Sequence, residues 1–172
     1  FKPSRGFNSF RDSSIRPTFA RPDAVPHFTL QISPGGPILT AVVTVSQPKA
    51  AVLQAAQQPL PTPVTIRALV DTGASCTCID PSVLASLQLT PTGSTTMHTP
   101  STGAAPATAD QYDVGLAIYA AANQVPLFLT TVPVIAAALV HAQGIQALIG
   151  RDILGQCVLH YNGATGTFTL AF

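Results

Sequence analysis

Residues 65–80 read TIRALVDTGASCTCID, and this stretch decides how the rest of the chain is interpreted. An apolar, β-leaning run, formed by Ile66, Ala68, Leu69 and Val70, ends at a single carboxylate, Asp71. A turn of small residues follows at 72–75, and the apolar chain resumes at Ile79. The pattern predicts a buried strand that delivers one acid into a tight turn.

A carboxylate in such a turn suits the hydrolysis of peptide bonds by an activated water. It can act as general base, but the reaction also needs an acid that protonates the carbonyl oxygen. Two carboxylates about 3 Å apart cannot both ionise, so they hold one proton between them and supply both functions. Asp71 is therefore the candidate catalytic residue, and it needs a second acid beside it.

The sequence Asp71-Thr72-Gly73-Ala74 after an apolar strand resembles the active-site turn of aspartic peptidases of the single-domain retroviral type, the retropepsins. A second retropepsin-like motif, ALIGRDIL, lies downstream at 147–154. In that family the apolar pair and the Gly form a strand behind the active-site turn, and the Arg supports the turn. The resemblance implies a catalytic Asp71 with the supporting residues Thr72, Gly73, Ala74, Gly150 and Arg151.

The chain contains only one Asp-Thr-Gly sequence, since PSTG at 100–103 and GATG at 163–166 lack the acid. The arrangement of pepsin, in which two lobes of one chain each give one Asp, is therefore excluded. The resemblance implies a symmetric homodimer in which two copies of Asp71 meet across a two-fold axis, the commonest symmetry of oligomers. It also implies an all-β fold, a closed retropepsin-like barrel with one or two short helices, which needs no metal or cofactor.

One position departs from the retroviral pattern. Retroviral enzymes usually carry an Asp just after the Ala of the turn, and that Asp pairs with the Arg of the second motif; Ser75 stands there in this chain. Arg151 must then use another acceptor. The candidate acceptors are Asp152, Asp80, Asp113 and backbone carbonyls.

A second position bears on the pH dependence. Many relatives that work in acid have Ser or Thr in place of Ala74, and that hydroxyl favours the ionised form of the carboxylate pair. Ala74 lacks the hydroxyl and therefore predicts an activity optimum at mildly acidic pH.

Residues 95–114 occupy the place of the retropepsin flap, a hairpin that covers bound peptide and excludes water. Small polar residues and Gly between 98 and 106 suit a mobile tip. The resemblance implies substrate contacts there from Pro100, Ser101, Thr102 and Gly103. The alternative is an ordinary surface hairpin.

The other segments are interpreted from their local patterns. Residues 1–26 are basic and rich in Pro and Ser, and predict a flexible arm that could instead bind an acidic surface or the partner subunit, or be removed by the enzyme itself. The single peptidase domain spans 27–172. Within it, 27–33 and 38–46 predict a β-hairpin, and 47–63 predict a Pro-rich loop insertion with room for a short helical turn.

Two further local signals follow the Asp71 turn in the sequence. Asp80 and Pro81 predict the N-cap and first turn of a short helix. The dipeptide Asn162-Gly163 predicts the turn of a last hairpin, whose second strand, 167–172, either pairs with its symmetry mate or lies inside the sheet of its own chain.

The composition is that of a globular protein, with 47% hydrophobic and 9% charged residues. A formal net charge of +1 gives no general attraction to nucleic acid or membrane. The longest apolar span, 125–140, is interrupted by prolines and threonines and is too short to cross a bilayer. No secretory signal is recognisable, so a cytoplasmic location is favoured, although the chain begins at Phe1 rather than Met.

Three cysteines, Cys76, Cys78 and Cys157, lack the spacing of a disulfide scaffold and are interpreted as reduced, small apolar packing residues. Redox control beside the active-site turn is the alternative for the first two. The four histidines show no metal-ligand spacing.

Two other functions remain open on the sequence alone. The first is a non-catalytic dimeric β module that holds extended peptides in the same cleft. The second is a domain processed from a polyprotein or kept inactive by its N-terminal arm. The favoured function is a homodimeric aspartic endopeptidase that acts on peptide or protein substrates.

Overall fold

The computed structural model describes residues 25–97, 106–119, 125–139 and 144–172. The strands are β1 His27–Gln31, β2 Ile38–Val45, β3 Val64–Val70, β4 Cys78–Ile79, β5 Gly93–Met97, β6 Ala107–Tyr119, β7 Leu127–Ala136, β8 Ala147–Ile149, β9 Val158–Asn162 and β10 Thr167–Ala171. The helices are α1 Gln47–Ala55, α2 Pro81–Ser86 and α3 Arg151–Leu154. The N-terminal arm to residue 24 and the predicted hairpin tip with Pro100, Ser101, Thr102 and Gly103 lie outside the described residues.

Six strands close into a barrel. Strand β2 pairs with β3, β3 with β8, β8 with β4, β4 with β7, β7 with β6, and β6 pairs back with β2. The β3–β8 and β4–β7 pairs are parallel and the others antiparallel. The predicted closed β barrel is therefore confirmed, although the described residues form three short helices rather than the expected one or two.

The barrel closes around side chains that alternate along its strands. In β3, for example, Ile66, Ala68 and Val70 are buried while Thr65 and Arg67 are exposed, as expected for a strand with one face on a core. Helix α2 and the residue that follows it add Val83, Leu84 and Leu87 to the same core, all at most 2% exposed. Its predicted cap is confirmed, because the Asp80 carboxylate accepts a hydrogen bond of 2.9 Å from the Ser82 amide.

A second, three-stranded sheet has the order β1-β10-β9. The predicted hairpin between 27–33 and 38–46 is wrong, since β1 pairs antiparallel with β10 and β2 belongs to the barrel. Gly36, at a φ of 107°, allows the chain to turn away, and Phe28 packs on the ring of Phe172 at 5.7 Å. Strand β10 has a neighbour on both edges, so it is an internal strand of its own sheet.

Helix α1 lies within 47–63, the segment predicted to be a loop insertion. None of its residues is buried, and Val52 is 64% exposed. Pro48 sits in the first turn, where a helix tolerates proline because that N–H has no intrahelical partner, and the Ala-rich middle has a high helix propensity. The remaining prolines of the segment, Pro59, Pro61 and Pro63, follow the helix.

The β5–β6 hairpin pairs Gly93 with Gln111 and Met97 with Ala107. This confirms two antiparallel strands in the segment 95–114. Strand β6 then continues to Tyr119 and joins both β2 and β7, so the hairpin projects from the wall of the barrel.

Candidate active site

Asp71 is the first residue after β3, and backbone hydrogen bonds fix its position. Its N–H donates to the Ile149 carbonyl at 3.0 Å, which continues the parallel β3–β8 pairing by one residue. The Gly73 N–H donates to Asp71 Oδ1 at 2.9 Å, and the Ala74 N–H donates to the Asp71 carbonyl at 3.3 Å. The half-buried carboxylate is therefore oriented by its own turn, and within the described part of the chain Oδ2 accepts no hydrogen bond.

A side chain at the glycine of the turn would crowd the Asp71 carboxylate. A Cβ at position 73 would lie 3.1 Å from Asp71 Oδ1, the oxygen that accepts the hydrogen bond from the Gly73 amide. Thr72 and Gly73 are exposed in the single chain, whereas Ala74 is half-buried. The tip of the turn is thus free to meet another molecule.

Gly150 and Arg151 contact the turn directly, as the resemblance implies. Gly150 is buried with its Cα against the backbone of Cys76, and an added Cβ would lie 2.5 Å from the Cys76 carbonyl carbon and oxygen. The Arg151 N–H donates to the Ala74 carbonyl at 3.0 Å, and its Nη1 donates to the Thr72 carbonyl at 2.9 Å. Of the acceptors left open by the sequence, Arg151 uses a backbone carbonyl.

Asp152 and Thr77 hold the far side of the turn, and the sequence interpretation missed this pair. The Thr77 side chain is fully buried; its N–H and hydroxyl donate to the two oxygens of Asp152, each at 2.9 Å. The same hydroxyl accepts from the Gly150 N–H at 3.1 Å. Asp152 also accepts a hydrogen bond from the Ile153 N–H at 3.0 Å. An acid in the first turn of helix α3 was the sequence signal by which Asp152 could have been found.

A cavity of about 430 Å³ lies beside the turn and under the β5–β6 hairpin, and we call it the flank cavity. Its lining residues are Ser75, Cys76, Thr95, Thr96, Met97, Gln111, Pro133, Ile135 and Asp152. A larger groove of about 590 Å³ runs between α1, residues 60–63 and strands β6 and β7, and it shares no lining residue with the flank cavity. The position of the flank cavity, between the Asp71 turn and a hairpin, suits the side chain of a bound peptide.

The three cysteines are unbridged. Cys78 is 6% exposed and packs with Ala109 and Ile135, while Cys157 is half-buried against the main core. Burial, and secondarily the neighbouring Cys76, raises the pKa of the Cys78 thiol to about 12. Burial also raises the pKa of Cys157. Both side chains thus act as apolar packing groups, as predicted.

We expect the free energy of unfolding to fall as the pH rises from about 9 to about 12, because the unfolded Cys78 thiol ionises near its ordinary pKa of about 8.5 while the folded one keeps its proton. The decrease attributable to Cys78 is at most about 1.4 kcal/mol per pH unit. Urea unfolding of the wild type and of Cys78→Val at several pH values measures it. Parallel pH profiles of the two proteins would contradict the assignment.

Among the described residues, no group of three or more His, Cys, Asp or Glu side chains is placed to hold a metal ion. No helix in the same part of the chain is both long and apolar enough to span a membrane.

These features agree with the comparisons. Residues 62–153, more than half of the chain, match the family model described as Aspartyl protease, and the chain belongs to that family. Its fold is that of a retropepsin-like aspartic peptidase. No curated protein sequence matches the chain.

Two solved structures are similar. One is a retropepsin-like aspartic protease from Rickettsia conorii, with a TM-score of 0.50 and 12% identity, covering 86% of this chain and 92% of that one. The other is the retroviral protease-like domain of Ddi1 from Leishmania major, with a TM-score of 0.36 and 15% identity, covering 78% and 88%. At this identity the Rickettsia structure supports the fold alone.

Proposed function

We propose that this protein is a homodimeric aspartic endopeptidase whose catalytic pair consists of Asp71 from each of two chains. The observation that carries the proposal is the anchored Asp71 carboxylate: Gly73 N–H fixes Oδ1, and the neighbouring strand and Arg151 fix the turn around it. One carboxylate per chain cannot supply both the general base and the general acid. A second copy supplies the missing group.

In the proposed mechanism the two Asp71 carboxylates share one proton and bind the attacking water between them. The ionised carboxylate takes a proton from the water while the protonated one donates to the carbonyl oxygen of the scissile bond. Each exposed Thr72 hydroxyl hydrogen-bonds across the two-fold axis and holds the two turns together. The exposed backbone around Gly73 receives the substrate as an added strand.

The β5–β6 hairpin acts as the flap in this proposal. It borders the flank cavity through Thr95, Thr96 and Met97 on one strand and Gln111 on the other. A peptide between the hairpin and the Asp71 turn would be shielded from bulk water, which strengthens the electrostatic interactions of the reacting groups.

Mixing wild-type chain with Asp71→Asn chain tests the proposal. If one active dimer needs two intact chains that exchange freely, a fourfold excess of the variant should lower the activity of a fixed amount of wild type to about one fifth. The fall arises because most wild-type chains then pair with an inactive partner. The measurement is the initial rate of cleavage of a fluorogenic unfolded protein after full subunit exchange.

Two controls accompany the mixing experiment. A dimeric protein of unrelated fold, added at the same concentration, should leave the rate unchanged. A rate that is insensitive to the variant, with exchange shown independently by mass-tagged subunits, would establish that a single chain is sufficient and would overturn the proposal.

We also expect the rate to be greatest at mildly acidic pH. Ala74 is the residue after the Gly of the turn, and its methyl group provides no hydroxyl to stabilise the ionised pair. The profile of kcat/KM against pH, measured with one peptide substrate, checks this. An activity that still rises below about pH 3 would contradict it.

A further inference from the structure

Asp152 places an unneutralised carboxylate on the wall of the flank cavity. It is exposed, and its two oxygens accept hydrogen bonds from Thr77 and from the Ile153 N–H. These donors are neutral, so they fix the carboxylate in place without cancelling its charge. In the described part of the chain no Lys, Arg or His forms an ion pair with Asp152.

The nearest basic residue in sequence does not neutralise it. The Arg151 guanidinium donates to the Thr72 carbonyl, and Arg151 is not among the lining residues of the flank cavity. The other lining residues of the flank cavity include no Lys, Arg, His, Asp or Glu. A substrate side chain in this cavity therefore meets one fixed negative charge and no fixed positive one.

The walls of the cavity suit the stem of a long basic side chain. Met97, Pro133 and Ile135 contribute apolar surface, and Asp152 lies on the same lining. Lys and Arg place their methylene groups along apolar surface while the charged end reaches a polar group. A volume of about 430 Å³ accommodates either side chain.

We propose that the flank cavity binds a Lys or Arg side chain of the substrate, and that Asp152 is the residue that selects it. The inference rests on the proposed function, because it takes the flank cavity as part of the peptide-binding cleft. It names the substrate class: polypeptides with a basic residue near the bond that is cut.

The chain itself provides a probe of this chemistry. Within the arm an apolar residue is followed directly by Arg three times, at Phe10-Arg11, Ile15-Arg16 and Ala20-Arg21. A synthetic peptide of residues 8–24, and an analogue with the Arg residues replaced by Gln, differ in charge but hardly in length. The pair therefore isolates the contribution of the basic side chains.

Binding to the Asp71→Asn variant tests the proposal without requiring turnover. We expect the Arg peptide to bind about five to ten times more tightly than the Gln analogue, measured by fluorescence anisotropy at low ionic strength, with the ratio falling as salt is added. Adding Asp152→Asn should reduce the ratio to near one. Adding Asp113→Asn instead should preserve it, because Asp113 lines a separate cavity that shares no residue with the flank cavity.

A second variant covers the case in which Asp152→Asn unfolds. Gln111 lies on the cavity wall, and Gln111→Glu in the Asp71→Asn background adds a second negative charge with little change of shape. It should raise the ratio a further several-fold. Equal binding of the two peptides, with no effect of either cavity substitution, would overturn the proposal.

The binding test and the mixing experiment test different proposals, so their failures are distinguishable. Cleavage that does not depend on the charge of the peptide would support the peptidase activity and contradict the proposed role of Asp152. Charge-selective binding without any cleavage would support Asp152 and count against the enzyme.

Discussion

Asp71→Asn is expected to lower kcat/KM by at least about 1,000-fold and to leave the dimer and its stability unchanged. Asn has nearly the shape of Asp, and its side-chain oxygen can still accept the hydrogen bond from Gly73 N–H. It cannot take a proton from water or share one with a second copy. Cleavage of an unfolded protein, followed by mass spectrometry, is the measurement.

The thermal midpoint and the sedimentation of the Asp71→Asn variant provide the control, since both should match those of the wild type. Hydrolysis retained by the Asp71→Asn variant at more than a few per cent of the wild-type rate would show that Asp71 is not the catalytic residue.

A wild-type protein that binds extended peptides without cutting them, from mildly acidic to neutral pH, would instead favour the non-catalytic β module. A peptide inhibitor with a tetrahedral hydroxyl group at the scissile position separates the two further, because only a peptidase should bind it more tightly than substrate.

Gly150→Ala should destabilise the protein by about 3 kcal/mol or more, one of the largest effects expected for a single methyl group. The new Cβ would lie 2.5 Å from the carbonyl carbon and oxygen of Cys76 and 2.9 Å from the Thr77 nitrogen. These are backbone atoms, so they cannot move aside as the end of a flexible side chain would. Urea unfolding followed by circular dichroism measures the change.

Gly93→Ala is the matched control, because a Cβ at that position in β5 meets no atom within 4 Å. It should change the free energy of unfolding by less than about 1 kcal/mol.

Gly150→Ala should also lower activity, because the backbone that it displaces, at Cys76 and Thr77, follows directly after the Asp71 turn. A Gly150→Ala variant as stable as the wild type would show that the backbone at Cys76 and Thr77 leaves room for a methyl group at position 150.

The sequence was most informative where structure follows from neighbouring residues. The alternation of 66–70, the small-residue turn after Asp71 and the cap at Asp80 each depend on a few consecutive positions, and the structure has the strand, the turn and the helix there. The second motif at 147–154 forms the expected strand and helix against the turn. The closed barrel followed from the resemblance that these motifs carry.

The sequence was least informative where structure depends on distant partners. Strand β1 alternates as a strand should, but local pattern does not reveal that its partner is β10 rather than β2. The hydrogen bonds between Thr77 and Asp152 join residues 75 positions apart, and an acid in the first turn of α3 does not by itself identify Thr77 as the partner. Helix α1 was obscured by the prolines around it, of which only Pro48 lies inside the helix.

The anchoring of the Asp71 turn by the second motif has a consequence for the order in which the protein forms. Asp71 is held by Ile149, and Thr72 by Arg151, so these contacts can form only after the 80 residues from Asp71 to Arg151 have been synthesised. At about 5–20 residues per second, that interval lasts seconds during synthesis. Over that time the Asp71 turn of the nascent polypeptide is restrained only by the hydrogen bonds that it makes within itself.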